Sequence, residues 1–69
     1  MGERIRYLRR RRVLTQKELA EKAGMARWRT VADIEAGRQQ PRPSTLRKIA
    51  AALDVEPSAL LPDDPGEGA

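Results

Sequence analysis

Apolar residues recur along the first part of the chain at the spacing of amphipathic helices. Ile5 and Leu8 are three residues apart in a strongly charged segment, which predicts a helix over residues 3–12 with one apolar stripe. A second apolar face follows, and its members are Leu19, Ala20 and Ala23. Because this face is narrow, we expect another helix to approach it closely.

Three more helices are predicted downstream. Val31 and Ile34 mark the inward side of a third helix over about residues 27–36. A fourth helix has one continuous apolar face, formed by Leu46, Ile49, Ala50 and Leu53. Pro57 suits the first position of a short fifth helix that ends near Leu61. The pattern therefore predicts an all-α fold of five helices.

Capping residues indicate where these helices begin and end. Thr15 and Glu18 have the spacing of a capping box, in which the hydroxyl and the carboxylate each accept from the other residue's backbone amide. Gly24 and Gly37 can take the left-handed conformation that ends a helix, and Ser44 is a favourable N-cap for the fourth helix. The segment from Thr15 to Gly37 thus has the outline of a helix-turn-helix.

The composition restricts the class of protein. The chain has 69 residues with neither cysteine nor histidine, which excludes a disulfide framework and predicts no metal site and no cofactor. No apolar run approaches the length of a membrane span, and no signal peptide is recognisable. We expect a cytoplasmic protein with one domain over residues 1–61 and a disordered acidic tail over residues 62–69.

Charge is distributed unevenly along the chain. Residues 1–48 hold all 14 Lys and Arg against five acids, a net charge of +9. Residues 49–69 hold five acids and no base, a net charge of −5, and the two parts sum to the overall +4. Such asymmetry indicates a body that binds a polyanion, although a solvated surface with an acidic tail that aids solubility has the same pattern.

The order and spacing of these features resemble the lambda-repressor-like, Cro-type (XRE) helix-turn-helix family over residues 4–61. The matching segments are Ile5-Arg6-x-Leu8-Arg9, Leu14-Thr15-Gln16-x-Glu18-Leu19-Ala20, Ala23-Gly24, Ile34-Glu35-x-Gly37, Pro43-x-x-Leu46, Ile49-Ala50-x-Ala52-Leu53 and Leu60-Leu61. The resemblance implies a compact five-helix lambda-repressor-like domain that binds double-stranded DNA. The third helix would enter the major groove while the first turn of the second rests on the backbone.

The resemblance also implies roles for individual residues. Gln16 matches a glutamine that contacts the DNA backbone, and a helix N-terminus with an amide donor suits a phosphate; a solvated surface glutamine is the alternative. Arg9 and Glu35 match positions that often form an internal ion pair between the first and third helices. Further backbone candidates lie in the loop that flanks the groove in relatives, namely Arg38, Gln39 and Arg42.

The turn departs from the family pattern. Five residues (Met-Ala-Arg-Trp-Arg) separate Gly24 from the Thr-Val pair of the third helix, where four are common among relatives. Alignment forward from this glycine places Arg27 and Trp28 at the base-reading positions. Alignment backward from the end of the third helix places there Trp28, Arg29 and Asp33.

Helical geometry favours the backward alignment. If Val31 and Ile34 define the inward direction at 100° per residue, Arg29 and Asp33 fall on the opposite side. Arg27 falls on the inward side, where a charge could not remain inside a continuing helix. We therefore expect Arg27 in the turn or at the helix start, near phosphates.

These positions suggest specific contacts. Arg29 is predicted to read guanine through O6 and N7, or else to bind a phosphate. Asp33 can accept from cytosine N4 or orient Arg29 by an i,i+4 pair, and an ordinary exposed ion pair is the alternative for both. Trp28 either packs against Met25 and the second helix or contacts a sugar or a thymine methyl.

The predicted function is that of a sequence-specific transcriptional regulator, a repressor, in a bacterial or phage nucleoid. It would act as a homodimer on a two-fold site, paired through the apolar segment Val55–Leu61, which carries no positive charge. The alternative is an antitoxin-like or protein-interaction module that uses the same helices to bind a protein. An enzyme acting on a small-molecule substrate is not expected, because the chain has no histidine, cysteine or glycine-rich phosphate loop.

Overall fold

A computed structural model describes residues 1–61, and these residues form four α-helices followed by a 3₁₀ turn. The elements are α1 (Gly2–Arg11), α2 (Gln16–Lys22), α3 (Trp28–Glu35), α4 (Pro43–Leu53) and the 3₁₀ turn (Pro57–Leu60). The all-α architecture is confirmed. The acidic tail predicted over residues 62–69 lies outside the described residues.

The expected fifth helix is a 3₁₀ turn rather than an α-helix. Pro57 does open it, as predicted, but Leu61 is already extended, with φ −78° and ψ 146°. The turn contains only the four residues Pro57–Leu60. Its hydrogen bonds join residues three apart, as in a 3₁₀-helix: Ala59 N donates to Glu56 O at 2.9 Å. The segment is too short for the hydrogen bonds of an α-helix.

The capping box at the start of α2 is present in full. The Glu18 amide donates to Thr15 Oγ1 at 3.0 Å, and the Thr15 amide donates to Glu18 Oε1 at 2.8 Å. After α2, Gly24 has φ +71°, a conformation that favours glycine, and its amide bonds back to Glu21 O. Both ends of α2 are therefore set by local sequence.

The predicted start of α4 is wrong by two residues. Ser44 does not cap this helix; Arg42 occupies the N-cap position and Pro43 is the first helical residue. Proline fits this position because its fixed φ is helical and it has no amide that would need a partner. Ser44 consequently lies inside the first turn.

Each α-helix is followed by a residue in the left-handed conformation. These residues are Val13 (φ +56°), Gly24 (φ +71°), Gly37 (φ +81°) and Asp54 (φ +60°). After α1 the Leu14 amide donates to Arg9 O at 3.1 Å, and the Val13 amide donates to Arg10 O at 2.9 Å. Glycine takes the left-handed position of this helix-ending pattern without steric strain, whereas a β-branched residue there is strained.

The core is formed by side chains from all five elements. Its largest fully buried members are Ile5, Leu19, Val31, Ile34, Ile49, Leu53 and Leu60. Of the predicted inward residues, Leu46 and Leu8 are only partly buried and pack against this cluster. No helix within residues 1–61 is long and apolar enough to cross a membrane.

Gly2 allows α1 to pack on the end of α3. A Cβ atom at Gly2 would lie 2.7 Å from the carbonyl oxygen of Glu35 and still nearer to that of Ile34. Since backbone oxygens cannot move aside independently, this position requires glycine although it lies in a helix. The contact fixes how the beginning of α1 meets the last turn of α3.

Candidate nucleic-acid interface

α2 and α3 form the helix-turn-helix that the sequence predicts. Leu19, Ala20 and Ala23 of α2 are buried, and so are Val31 and Ile34 of α3. The small alanine side chains let the two helices approach closely, and the turn between them runs through Gly24. This pairing leaves the opposite face of α3 to solvent.

The exposed start of α3 is basic. Arg27 is the N-cap residue, with φ −126° and ψ 120°, so it lies at the helix start, as helical geometry predicts. No side chain of the described residues caps the first amides of α3, and its first turn has no acid. The open amides and the positive end of the helix dipole therefore reinforce the charges of Arg27 and Arg29.

Trp28 and Arg29 stack on each other in this first turn. The Arg29 guanidinium carbon lies 5.5 Å from the centroid of the Trp28 ring, and the indole is 44% exposed. Such a cation–π contact restricts the arginine without neutralising it. Trp28 thus presents much of its surface to solvent, while Met25 packs on the core.

Asp33 does not pair with Arg29, so the i,i+4 alternative is wrong for this structure. Asp33 Oδ1 instead lies 3.8 Å from Arg38 Nη1, beyond the end of α3. Arg29 turns back to Trp28, which lies beside it in the same turn. Arg38 reaches Asp33 because the chain reverses at Gly37, so that the Arg38 amide also donates to Asp33 O at 2.9 Å.

Arg9 and Glu35 form a buried ion pair between α1 and α3. Arg9 Nε donates to Glu35 Oε2 at 2.6 Å, and Arg9 Nη2 donates to Glu35 Oε1 at 3.0 Å. The side chains are only 11% and 4% exposed. Arg9 Nη1 also donates to Leu14 O at 2.8 Å, which ties the pair to the loop before α2. This two-point geometry is strong and directional.

Gln16 forms a hydrogen bond to the ion pair of Arg9 and Glu35, a contact that sequence reasoning missed. Its Nε2 donates to Glu35 Oε1 at 3.2 Å. The half-buried Gln16 side chain is therefore anchored and is not a freely solvated surface glutamine. The spacing of the two residues along the chain gives no signal for this bond, because only the packing of α2 against α3 brings them together.

The remaining candidates are exposed around α3. Arg38 and Gln39 follow its last turn, and Arg42 lies at the N-cap of α4 with an extended backbone. The structure thus places basic or polar candidates at both ends of α3 and at the start of α2. Arginines at such positions can bind phosphates without deforming the core.

Comparisons with known proteins agree with this arrangement. A helix-turn-helix family model (HTH_3) matches residues 5–60. The chain is 44% identical over 64 residues to the immunity repressor protein of Bacillus phage phi105, covering 93% of this chain and 44% of the repressor. It is 42% identical over 61 residues to RghRB, an uncharacterised HTH-type transcriptional regulator of Bacillus subtilis (strain 168), covering 87% of this chain and 43% of that protein. The chain therefore spans less than half the length of these two relatives.

Two solved structures have the same fold. The restriction-modification controller protein C.AhdI from Aeromonas hydrophila superposes with a TM-score of 0.83 at 35% identity, over 87% of this chain and 89% of the controller. SinR, a master regulator of biofilm formation solved in complex with DNA, superposes with a TM-score of 0.81 at 39% identity, over 88% of this chain and all of that chain. The family resemblance read from the sequence is confirmed, and the chain belongs to the lambda-repressor-like, XRE-type helix-turn-helix family.

Proposed function

We propose that this domain is a sequence-specific DNA-binding module of a transcriptional regulator, and that the regulator is a repressor. The observation that carries the proposal is the exposed, basic and uncapped first turn of α3 in a fold shared with a regulator solved on DNA. A helix presented in this way fits the major groove, and its open amides suit phosphates. Repression is supported by the similarity to the phage immunity repressor. Such a role belongs to the bacterial or phage nucleoid.

Base reading is assigned to the exposed face at the start of α3. Arg29 offers a bidentate donor for guanine O6 and N7, and Trp28 offers an apolar surface for a thymine methyl. Asp33 can accept from cytosine N4, since its pair with Arg38 is long and the Arg38 side chain is largely exposed, which makes the pair weak. These three residues would supply specificity.

Backbone binding is assigned to the residues that surround this face. They are Gln16 at the start of α2, Arg27 at the N-cap of α3, and Arg38, Gln39 and Arg42 beyond its end. None of them belongs to the apolar core, and Gln16 keeps a second N–H beside the one that it donates to Glu35. Their contacts would fix the register of α3 without reading sequence.

The repressor is proposed to act as a homodimer through Val55–Leu61. Leu60 is fully buried in its own domain, whereas Leu61 is 43% exposed and Val55 is partly buried. Exposed apolar surface next to a stable core suits a subunit contact. Dimerisation would also supply specificity, because a single domain makes too few base contacts to bind one sequence tightly.

Binding to short duplexes of mixed sequence tests the DNA-binding role. The three exposed arginines assigned to the backbone (Arg27, Arg38 and Arg42) predict a slope of log K against log salt of about −3 per domain, since each neutralised phosphate contributes about −0.9. Selection from a random pool should then return two-fold symmetric sites. Absent or salt-insensitive binding would refute the DNA-binding proposal and favour a protein-interaction module.

A further inference from the structure

Glu35 connects the end of α3 to the residue that begins α2. Its Oε1 accepts from Gln16 Nε2 at 3.2 Å and from Arg9 Nη2 at 3.0 Å, while its Oε2 accepts from Arg9 Nε at 2.6 Å. Arg9 is itself held by Leu14 O at 2.8 Å. The carboxylate that receives the glutamine amide is therefore fixed in position by two bonds to a buried arginine.

This bond determines what Gln16 can present to solvent. A glutamine amide has two N–H donors on one nitrogen and a carbonyl acceptor on the other side. When one N–H is directed to Glu35, the orientation of the amide is restricted, and the second N–H points away from the carboxylate. A long side chain that is already ordered loses less freedom when a ligand binds.

Charge balance makes the arrangement compatible with a polyanion. A lone carboxylate beside the start of α2 would repel a phosphate there. Arg9 neutralises Glu35 through a two-point pair, and the side chain of Glu35 is only 4% exposed. The carboxylate can therefore orient the amide at little electrostatic cost to an approaching phosphate.

We propose that Glu35 is a positioning residue for DNA: anchored by Arg9, it orients Gln16 so that the remaining N–H of its amide meets a backbone phosphate. This inference rests on the proposed DNA-binding function. It assigns to the ion pair a role in affinity that is separate from its role in joining α1 to α3.

A double-mutant cycle on duplexes of mixed sequence tests this role, because a backbone contact needs no known operator. Gln16→Met removes the amide and keeps the side-chain length. In the wild-type background it should weaken binding about tenfold, the size of a hydrogen bond to a charged group. In the Arg9→Met/Glu35→Met background, which has the same net charge and an apolar replacement for the pair, it should weaken binding less than about twofold. The Arg9→Leu/Glu35→Leu background, which also has the same net charge and no acceptor at position 35, gives the same comparison if the first double variant does not fold.

Two controls separate positioning from general destabilisation. Arg9→Lys weakens the ion pair but keeps Glu35, so Gln16→Met should retain most of its effect there. Lys17→Met alters the neighbouring exposed residue, and its effect should combine additively with the loss of the pair. All affinities are compared at a temperature where circular dichroism shows every variant folded.

The free protein provides a readout that does not involve DNA. The side-chain amide of Gln16 should show a distinct, slowly exchanging NMR signal that moves to the position of a solvated glutamine in the Arg9→Met/Glu35→Met variant, which has no acceptor at position 35. Equal effects of Gln16→Met in all backgrounds, with wild-type binding intact, would overturn the inference alone. Loss of DNA binding by the wild type itself would overturn the proposed function as well.

Discussion

Replacing Val13 by glycine should stabilise the domain. Val13 has φ +56° because the turn after α1 directs the Leu14 amide back to Arg9 O. The left-handed conformation costs an ordinary L-residue about 1–2 kcal/mol, and a β-branched residue lies at the upper end. The side chain is 85% exposed, so removing it sacrifices almost no buried apolar surface. Glycine loses more backbone freedom on folding than valine does, which reduces the gain in stability by about 0.5–1 kcal/mol.

The net gain in the free energy of unfolding is therefore about 1 kcal/mol. For a domain of this size it should raise Tm by about 4–8 °C, measured by thermal and urea unfolding followed by circular dichroism. Val13→Ala is the matched control, because it removes the branch but keeps Cβ, and it should recover less than half of the gain. A Val13→Gly protein that is no more stable than Val13→Ala would show that the turn is not strained.

Three further predictions concern packing and DNA recognition. Arg9→Met should lower the free energy of unfolding by about 3 kcal/mol, because it leaves Glu35 buried without its two arginine bonds. Adding Glu35→Met should restore most of this loss. Urea titrations in which the losses of the two substitutions add would contradict this prediction. Gly2→Ala should cost about 1 kcal/mol or more, because the new Cβ meets carbonyl oxygens of α3; a rise in Tm, as alanine's helix propensity alone predicts, would contradict the packing. Arg29→Ala should reduce the ratio of the affinity for selected DNA to the affinity for random DNA. Arg42→Ala should weaken binding to selected and random DNA alike and reduce the salt slope by about 1. Identical outcomes for the two variants would reject their separate roles.

Helix α3 shows where sequence patterns stop being informative. Periodicity correctly placed Val31 and Ile34 in the core and left Arg29 and Asp33 on the outer side. It could not choose the partner of Asp33, because Arg29 lies one helical turn before it and Arg38 lies just beyond the end of the helix. Asp33 pairs with Arg38, which returns toward α3 only because the chain reverses at Gly37. Which of these residues touch bases stays a prediction.

The sequence by itself determined the helix ends that depend only on neighbouring residues. The capping box of Thr15 and Glu18 and the turns at Gly24 and Gly37 depend on a few neighbouring residues, so their patterns predict them directly. The start of α4 was misplaced at Ser44 because two local signals competed, and Pro43 at the first helical position prevailed.

Tertiary structure decided the features that join distant parts of the chain. The requirement for glycine at Gly2 exists only because α1 packs against the last carbonyls of α3. Likewise Gln16 and Glu35, 19 residues apart, form a hydrogen bond only after α2 and α3 have packed. The strain at Val13 arises because the path into α2 imposes a left-handed residue at a position that the sequence fills with valine. Patterns within one helix cannot encode such distances, since they depend on how whole helices meet around the shared core.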